Sequence, residues 1–314
     1  MKRKLLASSA VVALLIVSCA KNESLTYYQP RIAVDSSHAT VSKILEYNPA
    51  PGQQVNKDGV GTRSTAYSLA YDSSFSHYVT LGAWGGSITF KFDHSVQNLD
   101  GADLGIYGNC AFAGWDELGI VMVSQDINNN GIADDPWYEL AGSQYDSAST
   151  IHDYKVTYYN TGNQADVKWK DNKGNAGAIL FNQYGSSNFY PLANANIDYS
   201  KFKDSIVFEG ERLRPTLGPG PYAGYNANDI SALGWWGYTD SYSTGFGPLQ
   251  MDNYKMNGYN SVDISWARDK NGSKANLTYI DFVKVYTGQL ESDAIMGEVS
   301  TEFKGARDLH VSRL

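Results

Sequence analysis

The chain is 314 residues long, with 25 Lys and Arg against 33 Asp and Glu, 42% hydrophobic and 13% aromatic residues, and 30 glycines. A formal charge of −8 argues against nucleic acid or bare anionic lipid as a partner. Beyond residue 18 no segment approaches the ~18 consecutive apolar residues of a membrane-spanning helix.

The chain opens with Lys2, Arg3 and Lys4, an apolar run over residues 5–17, and then Ser18 and Cys19, the layout of a secretory signal peptide. The end of the run, "LIVSC", resembles a bacterial lipobox, in which cleavage before the cysteine leaves Cys19 as the lipidated N-terminus. Loss of residues 1–18 removes three basic and no acidic residues, which moves the formal charge from −8 to −11. Cys110 is then the one remaining cysteine, so an intramolecular disulfide is excluded. Among the small and aromatic residues of "YGNCAFAGW" it reads as a buried small hydrophobe. Residues 19–44 read as a polar tether, 45–303 as one domain and 304–314 as a C-terminal tail; "GPLQMDNYKMNGY" is the place where two smaller sandwiches would divide.

From about Ile44 the pattern is all-β. "SITFKFD" (87–93) alternates strictly, with Ile88, Phe90 and Phe92 on one face. "YKVTYYN", "ADVKWKD", "DSIVFEG" and "SVDISWARD" alternate in the same way, while "GIVMVSQD" and "YIDFVKVYTG" carry the denser apolar runs of strands covered on both faces. Turn clusters such as "YNPAPGQ", "YNTGNQ" and "DKNGS" separate them. With no long 3.6-period stripe and no repeat of about 40 residues, the expectation is a jelly-roll-like β-sandwich of two packed, mainly antiparallel sheets.

"DINNNGIADD" (126–135) has the spacing of a calcium loop. Asp126, Asn128, Asn130 and Asp134 stand at positions 1, 3, 5 and 9, Gly131 allows the sharp turn at 6, and the Ile132 carbonyl is available at 7. Trp137 occupies position 12, where an EF-hand would supply a bidentate Glu, so Asp135 or Glu139 has to provide the last carboxylate. The competing reading is an Asn/Gly-rich turn whose side chains bond their own backbone. Calcium is the expectation, with the role of stiffening a long loop.

Catalytic motifs are absent: the histidines do not fall at ligand spacing and no serine sits in a nucleophile elbow. Asp116, Glu117, Glu139, Glu209 and Glu211 read as loop and edge charges, because sequence alone cannot set two carboxyls across a cleft as a retaining glycosidase requires. The expectation is a binding protein rather than an enzyme. "LGAWGGS" and "ALGWWGYTDSYSTGFG" place Trp84, Trp235, Trp236, Tyr238, Tyr242 and Phe246 beside glycines that let a backbone approach a ligand, and Trp115 in "AGWDE" joins them. The competing reading for any one of these rings is core packing.

"YNPAPGQQVN", "LGAWGGSITFKFDHSVQN", "GNCAFAGWDELGIVMVSQDINNNGIADDPWYELAGSQY" and "DISWARDKNGSKANLTYIDFVKVYTG" resemble a family of Bacteroidota cell-surface lipoproteins, some of them fused to PKD-like modules. The resemblance covers most of residues 46–303; Cys110 departs from the "GNAF" of that family. It implies an outer-membrane lipoprotein facing the cell exterior, encoded in vitamin B12 uptake loci beside a TonB-dependent transporter, with cobalamin as ligand. A surface glycan-binding module, a glycoside-cleaving enzyme and an adhesion or scaffold protein are the alternatives.

Overall fold

The computed structural model describes residues 28–110, 116–192, 202–216, 232, 234–242, 257–293 and 297–313. Cys19, Trp115 and Phe246 lie outside the described residues. In chain order the strands are β1 (Lys43–Asn48), β2 (Val79–Thr80), β3 (Ser87–Gln97), β4 (Leu104–Tyr107), β5 (Gly119–Ser124), β6 (Trp137–Leu140), β7 (Ile151–Tyr159), β8 (Val167–Asp171), β9 (Ala176–Ile179) and β10 (Ser205–Arg212). They continue as β11 (Asn260–Val262), β12 (Ala267–Arg268), β13 (Tyr279–Thr287), β14 (Ser292–Asp293), β15 (Gly297–Glu298), β16 (Glu302–Phe303) and β17 (Gly305–Asp308). A five-residue helix, Arg63–Tyr67, is capped by Thr62, whose side chain accepts from the Thr65 N–H.

The principal sheet has the order β1-β3-β13-β5-β6-β12, and every pairing in it is antiparallel. Directly opposed residues share a face, so register converts the alternation of each strand into rows across the sheet. One such row, Ile44–Phe90–Val283–Val123–Tyr138, faces the main core. The three-stranded sheet β11-β4-β17 closes over it with Leu104, Ile106, Val262 and Ala306. Each fully buried Phe, Val or Ile here is worth about 1.5–3 kcal/mol, and Phe90, Val283 and Val123 are all 0% exposed. A second sheet, β10-β7-β8-β9, builds its own core from Tyr154, Val156, Tyr158 and Ile206 against Trp84 and Phe189. The protein is an all-β sandwich of packed antiparallel sheets, as the strand periodicity predicts. The dense runs 119–126 and 279–288 supply β5 and β13, which are interior strands of the principal sheet.

Three expectations shift. "SVDISWARD" is not one strand: the Asp263 side chain accepts the Ser265 N–H at 2.7 Å and turns the chain through Ile264–Trp266, so β11 and β12 enter different sheets. Residues 304–314 are not a tail, because β17 pairs with β4 from Gly305 to Asp308 and its Ala306 is buried. Part of the tether also packs on the fold: Arg31 and Ser95 exchange hydrogen bonds, and Ala39 and Val41 are buried.

Candidate functional site

The 126–135 loop joins β5 to β6, and the Ser124 hydroxyl donates to the Pro136 carbonyl at 2.9 Å across its base. Asp126 is buried and its two carboxylate oxygens accept the Asn130 and Gly131 N–H groups, both at 2.9 Å. Asn128 Oδ1 accepts from Asn130 N, Asn130 Oδ1 accepts from Ile132 N, and Asp135 Oδ2 accepts from Ile127 N. Gly131, at φ +75°, makes the turn that a β-carbon would strain. The side chains at positions 1, 3 and 5 therefore point inward, with the loop's own N–H groups on part of their lone pairs. Burial, with the charges of Asp134, Asp126 and Asp281 adding to it, pushes the Asp135 carboxyl above its ordinary range. An oxygen-only donor set carrying excess negative charge fits a hard cation. The Ile132 side chain is exposed, as expected of a position that offers its carbonyl.

The aromatic candidates separate into core and surface. Trp84 is 0% exposed, packs edge-on against Tyr154 with centroids 4.9 Å apart, and donates its indole N–H to the Glu211 carbonyl at 3.0 Å. Its neighbouring glycines serve the fold rather than a ligand: a β-carbon at Gly85 would strike Phe208, and one at Gly86 the Leu81 carbonyl. Trp235 is buried beneath the Arg214 guanidinium, 4.6 Å from its ring centroid, and Tyr238 is buried with its hydroxyl accepting the Gln144 N–H. Trp236 alone of these four remains partly exposed, beside the partly exposed Trp266 at 4.9 Å between centroids. The adjacent Trp235 and Trp236 thus point to opposite sides. Tyr242, the further aromatic of this segment, donates its backbone N–H to Asp116.

The face of the principal sheet opposite the main core is mixed: Ile120 and Tyr286 pack with Leu118, Leu213, Trp235 and Tyr238 in a third, smaller core, beside a more polar stretch. Its central row runs Glu46–Thr89–Lys284–Met122–Glu139–Arg268, one residue from each of the six strands. Over the Lys284–Met122–Glu139–Arg268 part of this row lies a groove of about 690 Å³, walled on the far side by His152 and Glu211 of the second sheet. Smaller recesses of about 320 and 330 Å³ adjoin it, one reaching the Trp236–Trp266 pair through Tyr145 and Arg268, the other reaching Tyr154 and Asn172 through Glu211. Together they make an elongated track. A groove of these dimensions is in the range of small-molecule sites.

Glu139 stands at the floor, 7% exposed. Burial, then the charge of Glu211, raises its carboxyl well above the ordinary range, which favours the protonated form. Glu211 is also raised by burial, but the imidazole of His152, its Nδ1 in close contact with Glu211 Oε2, pulls the other way. The backbone of Glu211 is fixed from both sides, by Trp84 at its carbonyl and by the Tyr286 hydroxyl, which accepts its N–H at 3.0 Å. Lys284 lies 4.5 Å from the Trp137 ring centroid, and burial lowers its ammonium below the usual lysine range. Glu139 and Glu211 are both among the carboxylates read from sequence as loop and edge charges; the structure brings them to one groove. His152, Arg268, Lys284, Trp137 and Trp266 were not singled out. Lys284 carried a usable signal, a lone cation inside the dense apolar run "YIDFVKVYTG".

Away from the groove, among the described residues, Glu117, Asp240 and Glu302 bring carboxylate oxygens within 4.8 Å of one another. Burial raises Glu117 to about 8 and Asp240 to about 7, and lifts Glu302 well above its ordinary range. Asp240 accepts N–H groups from Asn109, Cys110 and Glu302. Cys110 is 3% exposed, the buried small residue expected. No helix among the described residues is long and apolar enough to cross a membrane. No protein-family model matches this chain, and neither does any curated protein.

Proposed function

We propose that the protein is a lipid-anchored lipoprotein of the outer-membrane surface that binds a small ligand in the groove over Glu139 and assists its uptake through a TonB-dependent transporter. The observation that carries the binding reading is the groove itself: a polar register row on a sheet face, walled by a second sheet and edged by the open Trp236–Trp266 pair. The lipid anchor rests on "LIVSC" and Cys19. Cobalamin is the first ligand to test, because the resemblance points to it and its peripheral amides suit a wall of mixed donors and acceptors. A glycan chain is the second reading, favoured by the elongated track, the tryptophan pair and the two carboxyls Glu139 and Glu211.

Calorimetric titration of the purified chain with cyanocobalamin is expected to give saturable heat that Trp236→Ala weakens by about tenfold without loss of folding. No heat at high concentrations of both would sink the cobalamin reading, and neutral oligosaccharides would be titrated next.

The 126–135 loop is proposed to hold a structural calcium through Asp126, Asn128, Asn130, the Ile132 carbonyl and Asp134, with Asp135 the nearby additional carboxylate. Millimolar calcium should raise the unfolding midpoint by about 5 °C over EDTA. Asp134→Ala should remove that rise while leaving the midpoint in EDTA almost unchanged, since Asp134 is exposed and its hydrogen bonds come from the Asn130 amide. Equal midpoints with calcium and EDTA would return the loop to a self-bonded turn.

A further inference from the structure

Glu139 is buried to better than nine-tenths, faces the groove, and among the described residues receives no hydrogen bond and forms no ion pair. Its carboxyl opens onto the groove with no protein partner among the described residues, which leaves both oxygens available to a ligand. Its surroundings do not supply the missing partner. Arg268 is its register neighbour on β12 but makes no ion pair with it, and Lys284 lies two strands away, over Trp137. From the facing sheet come Glu211 and the His152 imidazole held against it. Three phenols, Tyr145, Tyr238 and Tyr286, lie close enough to couple electrostatically with Glu139, and none of them is hydrogen-bonded to its carboxyl. Six Asp and Glu side chains line the groove against three from Lys and Arg, so an anion meets net repulsion.

We propose that Glu139 is the specificity-determining group of the groove, its carboxyl hydrogen-bonding directly to an uncharged hydroxyl or primary amide of the ligand, so that neutral hydrogen-bonding ligands are selected over anions and cations. This rests on the groove being the ligand site. A protonated carboxyl has one donor and one free acceptor, and a hydroxyl or primary amide offers both complements, so one ligand group can engage both oxygens. A cationic ligand would instead need Glu139 ionised beside Glu211, two like charges in a covered site. An anionic ligand would meet the acidic lining.

The test is calorimetry of the full chain with four probes: cyanocobalamin, maltoheptaose, a glucosamine oligomer as the cation and a galacturonate oligomer as the anion, each at mildly acidic and mildly alkaline pH. A neutral probe is expected to bind best, and more weakly as the pH is raised. Glu139→Gln, which keeps a donor and an acceptor in the same shape, should bind that probe within about threefold of the parent and lose the pH dependence. Glu139→Ala should weaken it by about tenfold or more. Thermal unfolding of both variants checks that they are folded. Preference for the cationic or anionic probe, or neutral-probe binding unchanged in both variants, overturns the proposal while leaving the groove as a binding site. Heat from none of the four overturns the binding reading itself, and the proposal with it.

Discussion

Raising the pH from about 5 to about 8 in EDTA should cost the folded chain several kcal/mol, up to about 8 kcal/mol where the three carboxyl shifts add in full. Glu117 is raised from its ordinary 4.5 to about 8, Asp240 from 3.8 to about 7, and Glu298 from 4.5 to about 7, in each case chiefly by burial. The folded state therefore holds protons that the unfolded chain has released between pH 4.5 and 8, and the free energy of unfolding falls as pH rises through that window. His94 acts in the same direction. It is buried between Asp93 and Asp308, 2.8 Å from each, and these partners raise its pKa despite burial, so its contribution is present below the ordinary histidine range and fades above the raised value. Asp72, Asp93 and Asp171 are lowered by their hydrogen bonds and act at the acid end, where stability is lost as pH falls below the ordinary aspartate range. Stability should thus peak near pH 5. Glu302→Gln removes one ionisable member of the Glu117–Asp240–Glu302 group and should stabilise the protein by about 1–3 kcal/mol at pH 8 with little effect at pH 5. Denaturant unfolding at a series of pH values decides it; a midpoint that climbs from pH 5 to pH 8 would mean that these carboxyls are ionised with partners.

Trp84→Ala should cost about 3–5 kcal/mol, enough to threaten folding of a marginally stable domain. The ring is fully enclosed, so its removal leaves a large cavity in the second core beside Tyr154 and Tyr158. Trp84→Phe refills most of that volume and should cost about 1–3 kcal/mol, mainly through leaving the Glu211 carbonyl without the indole N–H. Because that bond fixes the strand carrying the Glu211 side chain, ligand affinity in the groove should fall in the Phe variant even where the fold survives. A Trp84→Ala variant that unfolds within about 1 kcal/mol of the parent would show that the ring is not core.

Strand existence and facing were legible in the sequence because the side-chain period of two is a local property. "SITFKFD" reports which residues of β3 face the core without reference to any partner. The tight turn at 126–135 was equally legible, since Gly131 takes positive φ and the Asp and Asn side chains that bond its backbone lie within ten residues. The site was not. Glu46, Thr89, Lys284, Met122, Glu139 and Arg268 form one row only after strands far apart in sequence pair in a particular register, and no window of sequence holds that information. The aromatic segments failed for the same reason. A tryptophan beside glycines suits a ligand platform and a tight core equally, and which one it makes depends on what packs against it: Phe208 and Tyr154 enclose the neighbourhood of Trp84, whereas Trp236 keeps an open side next to Trp266. Composition and periodicity determined an all-β sandwich of packed antiparallel sheets. Tertiary structure alone decided that Glu139 is buried without a partner opposite Glu211, because burial and hydrogen-bond satisfaction are properties of the assembled sheets and not of any one strand.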